Sequence, residues 1–161
     1  MSARKNIGIE VLISGVVGIV LVAAAFVIYP LLFQATTDVK LGTATFHARL
    51  AIDNNDRING LSGVTSMSYD DALLMVYPAS SKWPVSMKNM KLAVDIVWLN
   101  QDKKVVYLIR NAEPQTTSSY KVYKPTARAK YVIELPAGTA NARTIKLNSV
   151  ADFSIDETEV R

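Results

Sequence analysis

The chain has 161 residues, with 18 Lys and Arg against 14 Asp and Glu, a formal charge of +4, and no cysteine. The missing cysteine excludes disulfides, thiolate chemistry and every zinc site built on sulfur. The weak positive surplus, with basic and acidic residues alternating along almost the whole chain, argues against nucleic acid as a partner, which would call for clustered Lys and Arg interleaved with aromatics.

From Val11 through Phe33 run 23 residues without a formal charge, and a helix of that length rises about 34 Å, enough to span a bilayer with a little tilt. Gly15 and Gly18 are tolerated in lipid, Tyr29 falls near the far interface, and Pro30 is close enough to the end to loosen the last turn. A cleavable signal peptide is the competing reading. Its apolar region is usually shorter, about 7 to 15 residues, and Phe33-Gln34-Ala35 puts a large residue where a cleavage site needs a small one. Arg4 and Lys5 keep the N-terminus in the cytoplasm by the positive-inside tendency, so the rest of the chain is expected to face outward. Ser14 and Gly18 have the spacing of a small-residue dimer contact, but read better as lipid-facing residues of a single-pass anchor.

The expected organisation is a cytoplasmic tail (1–10), a transmembrane anchor (11–33), a juxtamembrane linker (34–42), a mostly-β extracytoplasmic domain (43–155) and an acidic tail (156–161). Gln34 to Gly42 is short, polar and Thr-rich, hence the linker. Thr43 to Asp53 alternates, with Phe46, Ala48, Leu50 and Ile52 on one face and His47, Arg49 and Ala51 on the other, the pattern of a half-buried strand. Asn54 and Asn55 offer caps for a short helical turn through Ile58, ended by Gly60. Leu73 to Tyr77 is a strand closed by Pro78. Leu92 to Leu99, apolar on both faces except for Asp95, is the candidate central strand. The turn chemistry of Asn100 to Lys103 predicts a hairpin to Val105 to Ile109. Asn111 to Lys124 is polar and reads as a loop. Tyr131 to Leu135 is a strand stopped by Pro136-Ala137-Gly138, and Val150 to Ile155 is available to close the sheet. The fold class is α+β, a compact mostly-β domain with short helices behind one transmembrane helix.

Four blocks carry a family resemblance: Arg57-Ile58-Asn59-Gly60-Leu61, then Ala72-Leu73-Leu74-Met75-Val76-Tyr77, then Met87-Lys88-Asn89-Met90 leading to Val94-Asp95-Ile96-Val97-Trp98-Leu99, and finally Ala129 to Gly138. In this order and spacing the outer domain resembles domain of unknown function 192, also called uncharacterised protein family 0127. The resemblance implies a compact, mostly-β domain, often behind a signal or anchor segment, and no established biochemical role. It also implies an aromatic directly before the Met-Lys-Asn block, where this chain has Ser86, with Trp83 three residues earlier. Asn148-Ser149 stands where the family commonly has Gly-Asp.

Asp95 and Glu134 each interrupt an apolar strand, and a carboxylate there must be paired or hydrogen-bonded, since an isolated buried charge is costly. Arg57, Lys88 and Lys130 are the available partners. The functional reading is a polar cluster of Arg57, Met87, Lys88, Asn89, Asp95 and Glu134 around a small ligand. The structural alternative has Asp95 capping loop amides and Glu134 facing outward from an edge. His47 is the only histidine and has no locally spaced partners for a metal. It has no Gly-x-Ser-x-Gly nucleophile to serve either. Met67, Met75, Met87 and Met90 read as core filler.

No cofactor or metal is expected. The favoured function is a membrane-anchored binding or interaction module at the cell envelope, whose partners are the membrane itself and an envelope small molecule or membrane protein. The alternatives are an envelope enzyme with Asp95 and Glu134 as acid and base, which requires the two to share a cleft, and a structural partner of another membrane protein.

Overall fold

The computed structural model describes residues 35–114 and 120–161. The expected anchor at Val11 to Phe33 and the tail before it lie outside the described residues. Among the described residues no helix is long and apolar enough to cross a membrane.

Residues Ala35–Arg161 form one compact unit. Among the described residues eight strands succeed one another in it: β1 (Thr36–Leu41), β2 (Ala44–Ala51), β3 (Asp71–Ser81), β4 (Val85–Ser86), β5 (Val94–Leu99), β6 (Val105–Ala112), β7 (Val122–Tyr123) and β8 (Ala129–Pro136). Two short helices interrupt them, α1 (Asn54–Asn59) and α2 (Thr139–Ala142), and a single 3-10 turn lies at Glu157–Glu159. The main sheet has six strands in the order β1-β2-β3-β8-β5-β6, and β4 pairs with β7 in a separate two-stranded ribbon. The domain is mostly β with few short helices, as the alternation and turn chemistry imply.

Both faces of the main sheet are covered. One packs Phe46, Leu74, Val97, Ile133 and Leu135 against Ile145 and Phe153. The other packs Leu73, Met75, Ile96, Trp98 and Val132 against Met87 and Met90. Burial on two sides is why β5 is apolar at almost every position and buried throughout, the signature of an interior strand. It also explains why Ala51, expected on an outward face of β2, is fully buried in the second core.

Several expectations require correction. Part of the expected linker is β1, because Val39 and Leu41 alternate with Asp38 and Lys40 and point into the first core. The turn from β1 to β2 depends on Gly42, whose φ is +64° and where a Cβ would lie 2.1 Å from the Arg143 carbonyl oxygen. The N-cap of α1 is Asp53 and not an Asn: its Oδ1 accepts from the Asp56 amide at 2.9 Å, while Gly60 ends the helix at φ +50° as expected.

β3 is not closed by Pro78. It pairs with β2 only as far as Met75, and its register with β8 breaks between Val76 and Ser81. The proline therefore sits where no ladder amide is needed. β5 pairs with β8 and β6, which leaves β3 and β8 as the middle pair. The expected β5–β6 hairpin forms. The Asn111 to Lys124 stretch is less purely loop than expected, since β6 runs to Ala112 and β7 lies within it.

Val150 to Ile155 forms no strand. Isolated bridges join Val150 to Lys104 and Asp152 to Lys40, so this segment bridges both edges of the sheet, at the start of β6 and the end of β1. The acidic tail is docked as well. Glu157 accepts from Lys130 Nζ and Tyr131 Oη, which holds its carboxyl below the usual range, and the Arg161 amide donates to Ile52 O at 3.0 Å.

Candidate functional site

Glu134 lies on β8 between Leu73 of β3 and Ile96 of β5 in the ladder. Residues directly opposite share a face, so its carboxyl enters the second core. It is 2% exposed, and its Oε2 has no hydrogen-bond partner among the described residues. Burial pushes its pKa up to about 7, against a smaller opposing pull from Arg49. Near neutral pH this carboxyl exists in both protonation states.

A cavity of about 510 Å³ opens over this position, lined by Glu134 together with residues from α1 and the two loops that follow α1 and β4. Its size falls within the few hundred to about 1,000 Å³ usual for small-ligand sites. Gly60 lies beside the carboxyl: a Cβ at position 60 would lie 3.9 Å from Oε2 and 3.3 Å from the Met75 Cε. Oε2 itself is buried, and with no side chain at 60 the flexible Met75 thioether is the group whose displacement would bring a ligand to it.

The aromatic wall comes from Tyr77 on β3 and Trp83 in the following turn, stacked with ring centroids 4.2 Å apart and planes 10° from parallel. Indole and backbone bonds fix this wall. Trp83 donates to Ala79 O at 2.9 Å, and the buried Trp98 donates to Trp83 O at 2.9 Å. Burial raises the Tyr77 hydroxyl to about 12.

Arg57 faces the same wall, its guanidinium 5.2 Å from the Tyr77 ring centre. Its nitrogens donate to Ile52 O at 2.6 Å, Val76 O at 2.8 Å and Arg161 O. Arg57 is thus a pin joining α1, β3 and the C-terminal residue, and forms no ion pair with Glu134 or Asp95. Lys130 pairs with Glu157 instead.

The rim is built by two loops that hold each other. Ser62 Oγ donates to Lys88 O at 3.0 Å, and the Gly63 amide donates to Asn89 O at 3.0 Å. Asn89 adopts a left-handed backbone at φ +58°, a conformation Asn tolerates better than most residues. The exposed side chains of Asn54, Asn59 and Asn89 line the cavity and carry no hydrogen bond within the described residues.

Four of the six residues expected from the sequence therefore meet at this cavity: Arg57, Lys88, Asn89 and Glu134. The other two do not. Met87 is 1% exposed and packs in the second core. Asp95 is opposite Leu135 in the β5–β8 ladder and points into the other face of the sheet. There it is fully buried, with Oδ1 accepting from the Asn111 amide at 2.8 Å and Oδ2 from the Ala140 amide at 2.7 Å. Asp95 caps loop amides, and it shares no cleft with Glu134. Tyr77, Trp83 and Gly60 complete the site. Trp83 takes a place in this cavity although the chain has Ser86 directly before the Met-Lys-Asn block.

His47 lies away from the cavity, paired to Asp38 on the neighbouring strand at 2.7 Å. That hydrogen bond raises its pKa. Among the described residues no three His, Cys, Asp or Glu side chains gather as metal ligands.

The family model described as Uncharacterized ACR, COG1430, named DUF192, matches residues 36–153. Similar curated proteins include a UPF0127 protein of Thermococcus gammatolerans, 26% identical over 113 residues, covering 69% of this chain and 69% of the relative. A UPF0127 protein of Thermococcus kodakarensis is 30% identical over 107 residues, covering 65% of this chain and 62% of the relative. Among solved structures, a protein of Sinorhizobium meliloti 1021 proposed to be a transcription regulator is similar, with TM-score 0.66 and 25% identity, covering 74% of this chain and 95% of that one. A protein of unknown function from Novosphingobium aromaticivorans DSM 12444 has the same fold, with TM-score 0.65 and 17% identity over 73% of this chain and 84% of that one.

Proposed function

This chain belongs to the DUF192 family, and from that premise we propose that it is a membrane-tethered binding module of the cell envelope whose small-molecule ligand occupies the cavity floored by Glu134. One observation carries the reading: a buried carboxyl oxygen with no partner at the base of an open pocket. A buried polar atom left unsatisfied costs roughly 1 to 3 kcal/mol, and a native fold that keeps one next to an accessible cavity has a use for it. The tether rests on the uncharged run from Val11 to Phe33 and on Arg4 and Lys5 before it.

An acid–base enzyme built on Asp95 and Glu134 loses its support, because the two carboxyls face opposite sides of the sheet and Asp95 spends both oxygens on amides. The regulator description attached to the Sinorhizobium protein does not transfer readily either, since 18 basic residues are interspersed with 14 acids in this chain.

The test is melting of the full chain, in a detergent without a sugar headgroup, against small molecules of several chemical classes. Ligand at 100 times its Kd is expected to stabilise by about 2.7 kcal/mol. The shift should vanish in Glu134→Leu. Shifts from no class, or shifts indifferent to Glu134, would move the search to protein partners. Protease added to intact cells tests the orientation: the domain should be cut, and protection would place it on the cytoplasmic side.

A further inference from the structure

We infer that the ligand of this cavity is a polyhydroxylated molecule of monosaccharide size, gripped through its hydroxyls by the Glu134 carboxyl at the floor and by side-chain amides at the rim. The inference rests on the reading of the cavity as a ligand site and names the chemistry that fits it.

The floor selects first. Among the described residues Glu134 Oε2 has no partner, and the carboxyl is available both ionised and protonated near neutral pH. A hydroxyl is the group that serves both states, donating to the carboxylate or accepting from the acid. An ammonium would serve only the ionised state, and would enter a cavity already lined by the cations Arg57 and Lys88. An anion would meet a partly ionised carboxylate, while the Arg57 guanidinium is committed to three carbonyl oxygens and the Lys88 ammonium lies over the Tyr120 ring.

The rim selects in the same direction. Asn54, Asn59 and Asn89 line it with primary amides that the described residues leave unbonded. Each offers an acceptor and two donors, the complement of a ring of hydroxyls and not of a single charge. Between rim and floor, Tyr77 and Trp83 supply an apolar wall, which suits the C–H surface that a sugar carries beside its hydroxyls.

The test is calorimetric titration of the full chain in lauryldimethylamine oxide with glucose, galactose and N-acetylglucosamine, and with methylammonium and acetate as charged probes. At least one sugar should bind saturably. Glu134→Leu should weaken that binding about tenfold or more, and Glu134→Gln, which keeps an acceptor and a donor, by only a few-fold. Paired Asn54→Ala and Asn59→Ala substitutions, on exposed positions of α1, should weaken it several-fold, with melting curves showing that each variant folds. Binding of methylammonium or acetate alone, still dependent on Glu134, would overturn the hydroxyl inference and leave the pocket reading standing. If no probe binds, or binding ignores Glu134, the pocket reading falls and the inference with it.

Discussion

Two carboxylates are buried in neighbouring strands of one sheet, and their surroundings differ completely. Asp95 of β5, 0% exposed, gives one oxygen to each of two backbone amides. These bonds tie the end of β6 and the start of α2 to β5. Glu134 of β8, 2% exposed, leaves Oε2 unbonded beneath a cavity. Both interrupt apolar strands in the same way, so burial alone does not distinguish an architectural acid from the acid of the proposed site. The number of donors that the fold aims at each oxygen does.

The sharpest way to break the comparison is to truncate the architectural acid. Asp95→Ala leaves the buried Ala140 amide and the part-buried Asn111 amide without acceptors and should cost about 3 to 5 kcal/mol in urea unfolding. A loss below about 1 kcal/mol would mean that water or a neighbour replaces the carboxylate. The cavity side carries a pH signature instead. The folded state holds the Glu134 proton up to about pH 7, whereas the unfolded chain releases it around the ordinary 4.5. Over that window the folded state binds more protons, so this contribution to stability is full at pH 4 and lost as pH rises through 7. The loss should be about 3 kcal/mol relative to Glu134→Gln, which has no such slope. Parallel pH curves for the two proteins would place the carboxyl in water or in a pair.

Arg57→Ala should follow, at about 2 kcal/mol, by releasing the carbonyls of Ile52 and Val76 and the face of Tyr77. Lys88→Ala comes last: its exposed ammonium lies 5.8 Å from the Tyr120 ring centre, and unfolding should change by less than about 0.5 kcal/mol. A larger loss from Lys88 than from Arg57 would reverse their assignment as rim and pin.

The sequence reveals one-sided patterns more readily than convergent ones. The alternation of Phe46 and Ala48, the turn at Asn100 to Lys103 and the Gly60 stop were all legible because each depends on local spacing. β1 was hidden because Thr36 and Thr37 resemble a spacer, and its Val39 and Leu41 acquire meaning only once paired to β2. Val150 to Ile155 looked like a strand and is a strap, since its bridges reach two separate sheet edges. At the site, Arg57, Lys88, Asn89 and Glu134 stood out as polar residues within or beside apolar blocks. Nothing in spacing told Asp95 from Glu134, because the face each takes is set by the β5–β8 register. Tyr77 and Trp83 were missed as a wall because their stacking depends on the turn after β3.

Titration of the Glu134 carboxyl by carbon-detected NMR in the full chain tests the open-floor account most directly. A midpoint near 7, moving when a ligand fills the cavity, is the result that a buried carboxyl without a partner requires. A midpoint at the ordinary 4.5, unmoved by any ligand, would mean that the carboxyl is already hydrated or paired and that the cavity floor makes no demand on a ligand.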